Sequence, residues 1–151
     1  MRIMITLINF DVIRPVWQVY LWPNRVSAIE SHSAMIYKSN DYSMTNFELP
    51  VEFFAIIIDD KIIGVNSCHM CSDGLARSRG LWVHSNFRGK GYGKMLLEET
   101  INFGVKQKAK GIWSFPRKTS WETYKSIGFN LTSEWIETET SEANAYCYLE
   151  L

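Results

Sequence analysis

The chain has no excess of either charge and few cysteines. Sixteen basic and sixteen acidic residues leave a formal net charge of zero at pH 7, so it lacks the overall positive field that binds nucleic acid or an anionic membrane. Three cysteines do not make a disulfide framework, and reduced thiols in a cytoplasmic protein fit them best. We therefore expect no nucleic-acid partner, no membrane association and a cytoplasmic location.

Long apolar runs, internal repeats and low-complexity tracts are also missing. The longest strongly apolar run, residues 53–58, is far shorter than the ~20 residues that span a bilayer. Asp11 interrupts the apolar N-terminus, which predicts a first strand and not a signal peptide. With 151 residues, 46% of them hydrophobic and 21% charged, the sequence predicts a single globular domain over residues 1–151.

One cysteine pair has the spacing of a metal or redox motif, because Cys68 and Cys71 enclose His69 and Met70. Residues three apart on a strand point to opposite faces. A structural zinc site would also need a second ligand pair, and only Cys147 and scattered histidines remain. We interpret the pair as structural and expect no metal.

The first half of the chain is predicted to be rich in strands. Apolar runs predict strands over residues 3–10, 53–58, 62–69 and 75–83. The polar turn Asp59-Asp60-Lys61 joins two of them into a hairpin, and Gly80 inside the last one suggests a bulge or a close backbone approach. On that last strand, simple alternation places Arg77, Arg79, Leu81 and Val83 on one face. Residues 12–37 are predicted to be helical but broken at Pro15 and at Trp22-Pro23-Asn24, and residues 39–50 form a loop.

The second half alternates helices and strands. A helix over residues 95–110 carries an apolar stripe of Leu97, Ile101, Gly104 and Val105. A strand over residues 112–115, a helix over residues 119–126 that ends at Gly128, and strands over residues 131–138 and 145–151 follow. This order predicts an α/β fold with a mixed, mainly antiparallel central sheet flanked by helices.

A glycine-rich segment, Arg88-Gly89-Lys90-Gly91-Tyr92-Gly93-Lys94, joins the strand over residues 75–83 to the following helix. Glycines let backbone N–H groups approach a ligand closely, and a helix N-terminus adds partial positive charge. Such a turn is typical of a phosphate-binding loop.

Two familiar phosphate motifs do not fit this segment. A Walker A loop would need Gly at position 88 and Ser or Thr at position 95, where the chain has Arg88 and Met95. The third glycine of a dinucleotide fingerprint would fall on Lys94. A third pattern, [Arg/Gln]-x-x-Gly-x-[Gly/Ala], is matched at each fixed position by Arg88, Gly91 and Gly93.

About thirty residues later comes Tyr124-Lys125-Ser126-Ile127-Gly128-Phe129. Together the two motifs make residues 81–129 resemble the GNAT N-acetyltransferase superfamily. The resemblance implies a sheet split at a cofactor cleft, with acetyl-CoA as co-substrate. It also implies direct transfer of an acetyl group to a primary amine of a small molecule or a peptide.

The resemblance also implies roles for individual residues. Tyr124 would be the general acid toward the CoA sulfur, since a free phenol with a pKa near ~10 is protonated at pH 7. The core strand would hydrogen-bond pantetheine through its backbone and the loop would hold the pyrophosphate, so the expected CoA-binding residues are Trp82, Val83, His84, Arg88, Gly89, Lys90, Gly91, Tyr92, Gly93 and Lys94. Arg117 stands where many relatives have Asn, and it either pairs with a CoA phosphate, as we expect, or is an ordinary surface arginine.

The general base and the acceptor stay open. Some relatives carry Glu eleven residues before the loop arginine, where this chain has Arg77. His69, Asp73 and His84 are the remaining candidates, unless the amine arrives neutral. Arg77 favours an alternative function, a non-catalytic acyl-CoA-binding sensor or scaffold, whereas Tyr124 favours an enzyme. A homodimer is compatible with the sequence. Four acidic residues would attract a cationic acceptor: Glu30, Asp41, Glu134 and Glu137.

Overall fold

The computed structural model describes residues 3–137 and 142–151, and in that part of the chain seven strands form one open sheet. The strands are β1 (Ile3–Ile8), β2 (Val51–Ile58), β3 (Lys61–Met70), β4 (Ala76–Val83), β5 (Gly111–Ser114), β6 (Asn130–Leu131) and β7 (Cys147–Glu150). Their order is β1-β2-β3-β4-β5-β7-β6. Neighbouring strands are antiparallel except β4 and β5, which are parallel and joined by a helical crossover. The predicted mixed, mainly antiparallel sheet is confirmed.

Helices cover both faces of this sheet. They are α1 (Phe10–Val16), which continues into a π-helical turn (Trp17–Leu21), α2 (Tyr92–Lys106) and α3 (Lys118–Ser126). The predicted break at Pro15 is wrong, because Pro15 lies inside α1 and helical backbone continues to Leu21. The helix widens just after the proline, and the Trp22 amide donates to the Trp17 carbonyl, five residues back, at 2.8 Å. The break predicted at Trp22 is confirmed.

The layer formed by α2 and α3 contains the larger core cluster. The buried face of α2 includes Tyr92, Leu96, Leu97 and Phe103. The predicted place of Val105 on the apolar stripe of this helix is wrong, since its side chain is 60% exposed. The helix starts at Tyr92, three residues before the predicted start, and its apolar stripe centres on Leu96 and Leu97. Val105 therefore turns toward solvent.

Strand β4 carries the predicted bulge at Gly80. Val65 of β3 pairs with Trp82 and Ser67 pairs with Arg79, so one residue of β3 opposes two of β4. Gly80 has a φ of +81°, which favours glycine. The extra residue reverses the alternation of faces beyond this point.

The predicted face for Leu81 and Val83 is therefore wrong. Both side chains pack in the α2/α3 layer, together with Ala76. Trp82 packs on the opposite side of the sheet, in the α1 layer. That second face also carries Arg77 and Arg79, which gives β4 a polar and aromatic side away from α2.

The cysteine pair lies across the sheet, as the spacing predicted. Cys68 is buried in the α2/α3 layer, whereas Cys71 packs with Trp113 and Tyr146 on the other side. Burial raises the pKa of the Cys68 thiol and raises that of Cys71 to about 12. Within residues 3–137 and 142–151, no three His, Cys, Asp or Glu side chains gather in a metal-ligating group. No helix in that part of the chain has the length and apolar character needed to cross a bilayer.

Candidate active site

The sheet opens between its two parallel strands. β4 and β5 pair at only two positions, Ala76 with Ile112 and Arg77 with Trp113. Beyond Arg77 the bulged end of β4 separates from β5, which continues its pairing with β7 on its other side. The gap is part of a cleft of about 1030 Å³ whose lining includes Tyr124 from the α3 side and Arg77 and Arg79 from the α1 side. The split predicted by the resemblance is present.

The phenol of Tyr124 lies at this split. Its Oη is 2.8 Å from Ser78 Oγ on β4 and 3.0 Å from Ser114 Oγ on β5. Ser114 Oγ also lies 2.8 Å from the Ser78 carbonyl, to which it donates. Ser114 Oγ is the donor in both of its contacts and shares its one proton between them, whereas either hydroxyl can donate in the contact between Ser78 and Tyr124. The two serines therefore fix the phenol between the diverging strands.

Burial governs the protonation of Tyr124. The side chain is only 2% exposed, and desolvation raises the pKa of its hydroxyl above the usual value. The phenol therefore keeps its proton at neutral and moderately alkaline pH. A protonated hydroxyl at the edge of a cleft can donate to a developing anion.

The residues after Tyr124 explain why the motif ends in Gly-Phe. Gly128 has a φ of +106° and its amide donates to the Lys125 carbonyl at 3.1 Å. The Phe129 amide donates to the Tyr124 carbonyl at 3.2 Å, and the two bonds make a Schellman ending. The Phe129 ring then packs edge-on against Tyr124, with 5.0 Å between centroids. The motif therefore stops α3 and supports the phenol ring.

The glycine-rich loop forms an open anion site at the start of α2. Gly89 and Gly91 have φ values of +74° and +87°, and a Cβ at either position would meet no atom within 4 Å. Gly91 is the N-cap of α2, so the next amides, those of Tyr92, Gly93 and Lys94, have no intrahelical acceptor. Free N–H groups below unobstructed space can bind a phosphate group.

The charged side chains of this loop are exposed, as an anion site requires. The Nε of Arg88 donates to the Val83 carbonyl at 2.9 Å, and the residue is exposed. Lys90 lies over the Phe87 ring with Nζ 5.5 Å from the centroid, and Lys94 is exposed on α2.

Tyr92 and Gly93 serve the fold as well as the loop. The Tyr92 side chain is buried in the core, so only its backbone amide is available to a ligand. A Cβ on Gly93 would lie 3.1 Å from Thr123 Cγ2. Gly93 therefore allows α2 and α3 to pack closely, a role that the loop pattern did not predict.

The other predicted CoA contacts lie along the edge of β4 and at the start of α3. The Trp82 ring stacks on Tyr20 with 4.5 Å between centroids, and its backbone belongs to the part of β4 that does not pair with β5. The His84 amide donates to the Ile63 carbonyl on β3 at 2.7 Å. Arg117 lines the cleft, and its Nη2 donates to the Leu21 carbonyl at 2.7 Å, which ties α3 to the end of the π-helical turn.

The three candidate bases do not gather at the phenol. Asp73 accepts the Leu75 amide at 3.0 Å in an exposed turn, and His84 accepts the Asn86 amide at 3.1 Å. His69 is fully buried on β3, where Nε2 accepts the Ser33 amide at 3.2 Å and Nδ1 lies 3.0 Å from the Met70 carbonyl. Both of its nitrogens are therefore engaged, and it is held neutral.

The buried His69 should make stability depend on pH. Desolvation lowers its pKa to about 3, whereas an unfolded histidine titrates near ~6.5. Between these values only the unfolded chain binds the proton, so stability falls as pH falls. We expect His69 to remove roughly 2 kcal/mol from the free energy of unfolding between pH 7 and pH 5. Urea unfolding at both pH values measures this loss.

The control pair for that measurement consists of two histidine variants. His69→Gln should lower stability at pH 7 and flatten the pH dependence. His84→Asn keeps a capping side chain and should retain the wild-type dependence. A His69→Gln protein with the wild-type pH dependence would contradict the assignment.

Sequence reasoning did not identify several residues of the cleft wall. Ser78 and Ser114 were the detectable ones, because they are polar residues within buried apolar strands. His32 also lines the cleft, with Nε2 2.8 Å from the Leu49 carbonyl, and burial lowers its pKa. Of the four acidic residues expected at an acceptor site, Glu30 lines the cleft, whereas Asp41, Glu134 and Glu137 lie outside its lining.

Comparison with known proteins places these features in a family. A family model described as the Acetyltransferase (GNAT) family matches residues 16–129, more than half of the chain. No curated protein sequence matches the chain.

Solved structures resemble the whole chain. ElaA from Escherichia coli is 12% identical with a TM-score of 0.71, covering 99% of this chain and 100% of that one. The IAA acetyltransferase from Bacillus cereus ATCC 14579 is 15% identical with a TM-score of 0.70, covering 99% and 100%. A candidate streptothricin acetyltransferase from Bacillus anthracis strain Ames, solved in complex with acetyl coenzyme A, is 15% identical with a TM-score of 0.65, covering 100% and 99%. At these identities the likeness is one of fold.

Proposed function

Because the chain belongs to the GNAT acetyltransferase family, we propose that it transfers an acetyl group directly from acetyl-CoA to a primary amine of a small molecule or peptide. The observation that carries the proposal is the Tyr124 hydroxyl, held between the diverging strands by Ser78 and Ser114. The complex of one structural relative with acetyl coenzyme A supports the choice of co-substrate. The three cysteines are free and buried, which is compatible with the cytoplasmic location that we propose.

The loop and the cleft suit acetyl-CoA. The open space above Gly89 and Gly91 accepts a pyrophosphate against the amides of α2, and Arg88 adds charge there. The split between β4 and β5 lies beside Tyr124, and β4 leads from that split to the loop. Acetyl-CoA supplies an activated acyl group, and no metal is required for that chemistry.

The residues of this chain supply orientation and a proton. Tyr124 holds a proton at Oη for the leaving sulfur, and Ser78 and Ser114 keep that atom in place. Arg77 stands where some relatives have a carboxylate base, so that position cannot take a proton from the acceptor. We propose that the amine attacks in its neutral form and loses its proton to water, so that no side-chain base is needed.

Two measurements test the function. Acetyl-CoA at ~100 times its Kd should stabilise the folded protein by about 2.7 kcal/mol, and desulfo-CoA should do so comparably because the phosphates carry recognition. CoA release is then measured over a panel of amines. No thermal shift at millimolar acetyl-CoA would reject the proposal. Binding without release over the panel would instead favour the acyl-CoA-binding sensor or scaffold.

The glycine loop gives a matched pair of variants for the binding step. Gly91→Ala should weaken acetyl-CoA binding at least about tenfold, which corresponds to 1.4 kcal/mol, because its Cβ fills the space above the amides. Gly74→Ala is the control, since its φ of +85° matches that of Gly91 and its Cβ also has room. Isothermal titration should show wild-type affinity for Gly74→Ala. Equal affinities of the two variants would make the loop only a structural turn.

A further inference from the structure

Two arginines are buried side by side on the wall of the cleft. Arg77 is 8% exposed and Arg79 is 5% exposed, and both line the cleft. They lie two residues apart on β4, before the bulge, so they share one face with about 7 Å between their Cα atoms. This is the face away from α2.

The guanidinium of Arg77 has unused donors. Its Nε has no hydrogen-bond partner among the described residues, and its Nη1 lies 3.5 Å from the weak acceptor Met35 Sδ. The group lies over the Trp113 ring, with Cζ 4.6 Å from the centroid. An aromatic face orients the group but does not satisfy its N–H donors.

Arg79 is held in the same manner. Its Cζ lies 5.0 Å from the centroid of Trp17 and 5.2 Å from that of Trp22, and Nη1 donates to the Glu30 carbonyl at 2.8 Å. Among residues 3–137 and 142–151, neither arginine has a carboxylate oxygen within 4.0 Å of its guanidinium nitrogens. The ion pair between Lys106 and Glu52 lies elsewhere.

Both groups are charged at neutral pH. Burial lowers the pKa of Arg77 to about 10 and that of Arg79 to about 9, which still leaves them protonated. Buried charges without a direct counter-ion are unfavourable. The charge of Glu30 partly offsets that of Arg79, and a bound anion would supply the opposite charge that Arg77 lacks among the described residues. The described lining of the cleft has four arginines, Arg25, Arg77, Arg79 and Arg117, against two glutamates, Glu30 and Glu142.

The position of the pair relates it to the acceptor. Arg77 forms the last rung between β4 and β5, and the next residue, Ser78, contacts Tyr124 through the split. An anion held on Arg77 would therefore lie on the opposite face of the sheet from the phenol, and both residues line the same cleft. Planar guanidinium groups bind carboxylate and phosphate oxygens in pairs.

We propose that Arg77 and Arg79 bind an oxyanion, carboxylate or phosphate, carried by the amine that accepts the acyl group. The inference rests on the proposed function and narrows its acceptor to amines that also bear a negative charge. It replaces the expectation of a cationic acceptor attracted by acidic residues.

Binding of product-like probes tests the site without turnover. A panel of N-acetyl amino acids is titrated against the matched N-acetyl amino acid amides, and N-acetyl-O-phosphoethanolamine against N-acetylethanolamine. We expect the charged member of at least one pair to bind tenfold or more tightly to the wild-type protein. The pair that shows the preference identifies carboxylate or phosphate as the recognised group. No preference in any pair would overturn the proposal.

Arginine variants test which residues cause the preference for charged probes. Arg77→Met and Arg79→Met should abolish it, whereas Arg14→Met, on exposed α1 surface, should retain it. Melting temperatures should not fall in Arg77→Met, because an uncompensated charge is removed. If that variant does not fold, the wild-type comparison of charged and neutral probes still decides.

Titration with acetyl-CoA separates this inference from the proposed function. Wild-type protein that binds no acetyl-CoA would contradict the function itself. Equal binding of acetyl-CoA by wild type and Arg77→Met, together with loss of the probe preference, supports an acceptor site. Weakened acetyl-CoA binding with an unchanged probe preference would assign the arginines to CoA and overturn the inference.

Discussion

Replacing Tyr124 with phenylalanine should lower kcat by roughly 10²–10⁴-fold, the usual contribution of a general acid. The variant keeps the ring that packs on Phe129 and loses only the hydroxyl and its proton. The KM for acetyl-CoA should change little, because a proton on the leaving sulfur matters mainly in the transition state. Steady-state CoA release with an identified acceptor gives both constants.

Controls separate this chemical role from packing. Tyr124→Phe leaves Ser78 and Ser114 without their shared partner, so it should also cost about 1–3 kcal/mol of stability. Tyr146→Phe removes a second buried phenol, one outside the described lining of the cleft, and should leave kcat near the wild-type value. A Tyr124→Phe enzyme with wild-type kcat would assign the ring to packing and the proton to water.

The pH profile gives a second test of the same residue. Burial raises the pKa of Tyr124, so any loss of kcat caused by its ionisation should begin only above the usual range near ~10. Ser114→Ala removes one of the two hydroxyls that hold the phenol and should reduce kcat by less than Tyr124→Phe does. If the wild-type kcat fell with rising pH as a group titrated near neutrality, the general acid would be a residue other than Tyr124.

The features that could be predicted from the sequence depend on residues that are close together along the chain. Gly91 and Gly128 both have left-handed backbone, and that requirement is visible as glycine at fixed spacing from its neighbours. The phosphate loop and the end of α3 were therefore recognisable from short motifs. The sheet face of each β4 side chain was predictable only as far as Gly80, because the bulge shifts every later side chain to the other face.

What could not be predicted depends on contacts between distant segments. The phenol is placed by serines 46 and 10 residues away along the chain. In the sequence, Arg77 was notable only because some relatives carry Glu at that position. Its lack of a counter-ion becomes visible when Trp113, Met35 and the cleft surround it. Charges along the sequence suggested acidic residues at an acceptor site, whereas the described lining of the cleft carries four arginines and two glutamates.

Gly80 forms the bulge of β4 in the wall of the cleft, so Gly80→Ala should strongly destabilise the folded protein. A Cβ at this position would overlap the Trp17 indole, with Nε1 as its nearest atom, and the backbone has a φ of +81°. Trp17 is fully buried and its Nε1 donates to the Gly80 carbonyl at 2.9 Å. Left-handed strain, overpacking and the lost hydrogen bond together predict a loss of roughly 3–6 kcal/mol. Equilibrium urea unfolding measures this loss.

Matched variants show which part of that loss comes from the indole. Gly74→Ala has the same left-handed strain, but its nearest neighbour is the flexible Lys110 side chain at 3.5 Å, so about 1–2 kcal/mol is expected. Combining Gly80→Ala with Trp17→Phe should cost less than the sum of the single changes, because the smaller ring vacates the site of the Cβ. Arg79, which stacks on Trp17, should then lose its orientation as well. A Gly80→Ala protein as stable as Gly74→Ala would mean that β4 shifts away from Trp17 without strain, and that the bulge does not hold the arginines in place.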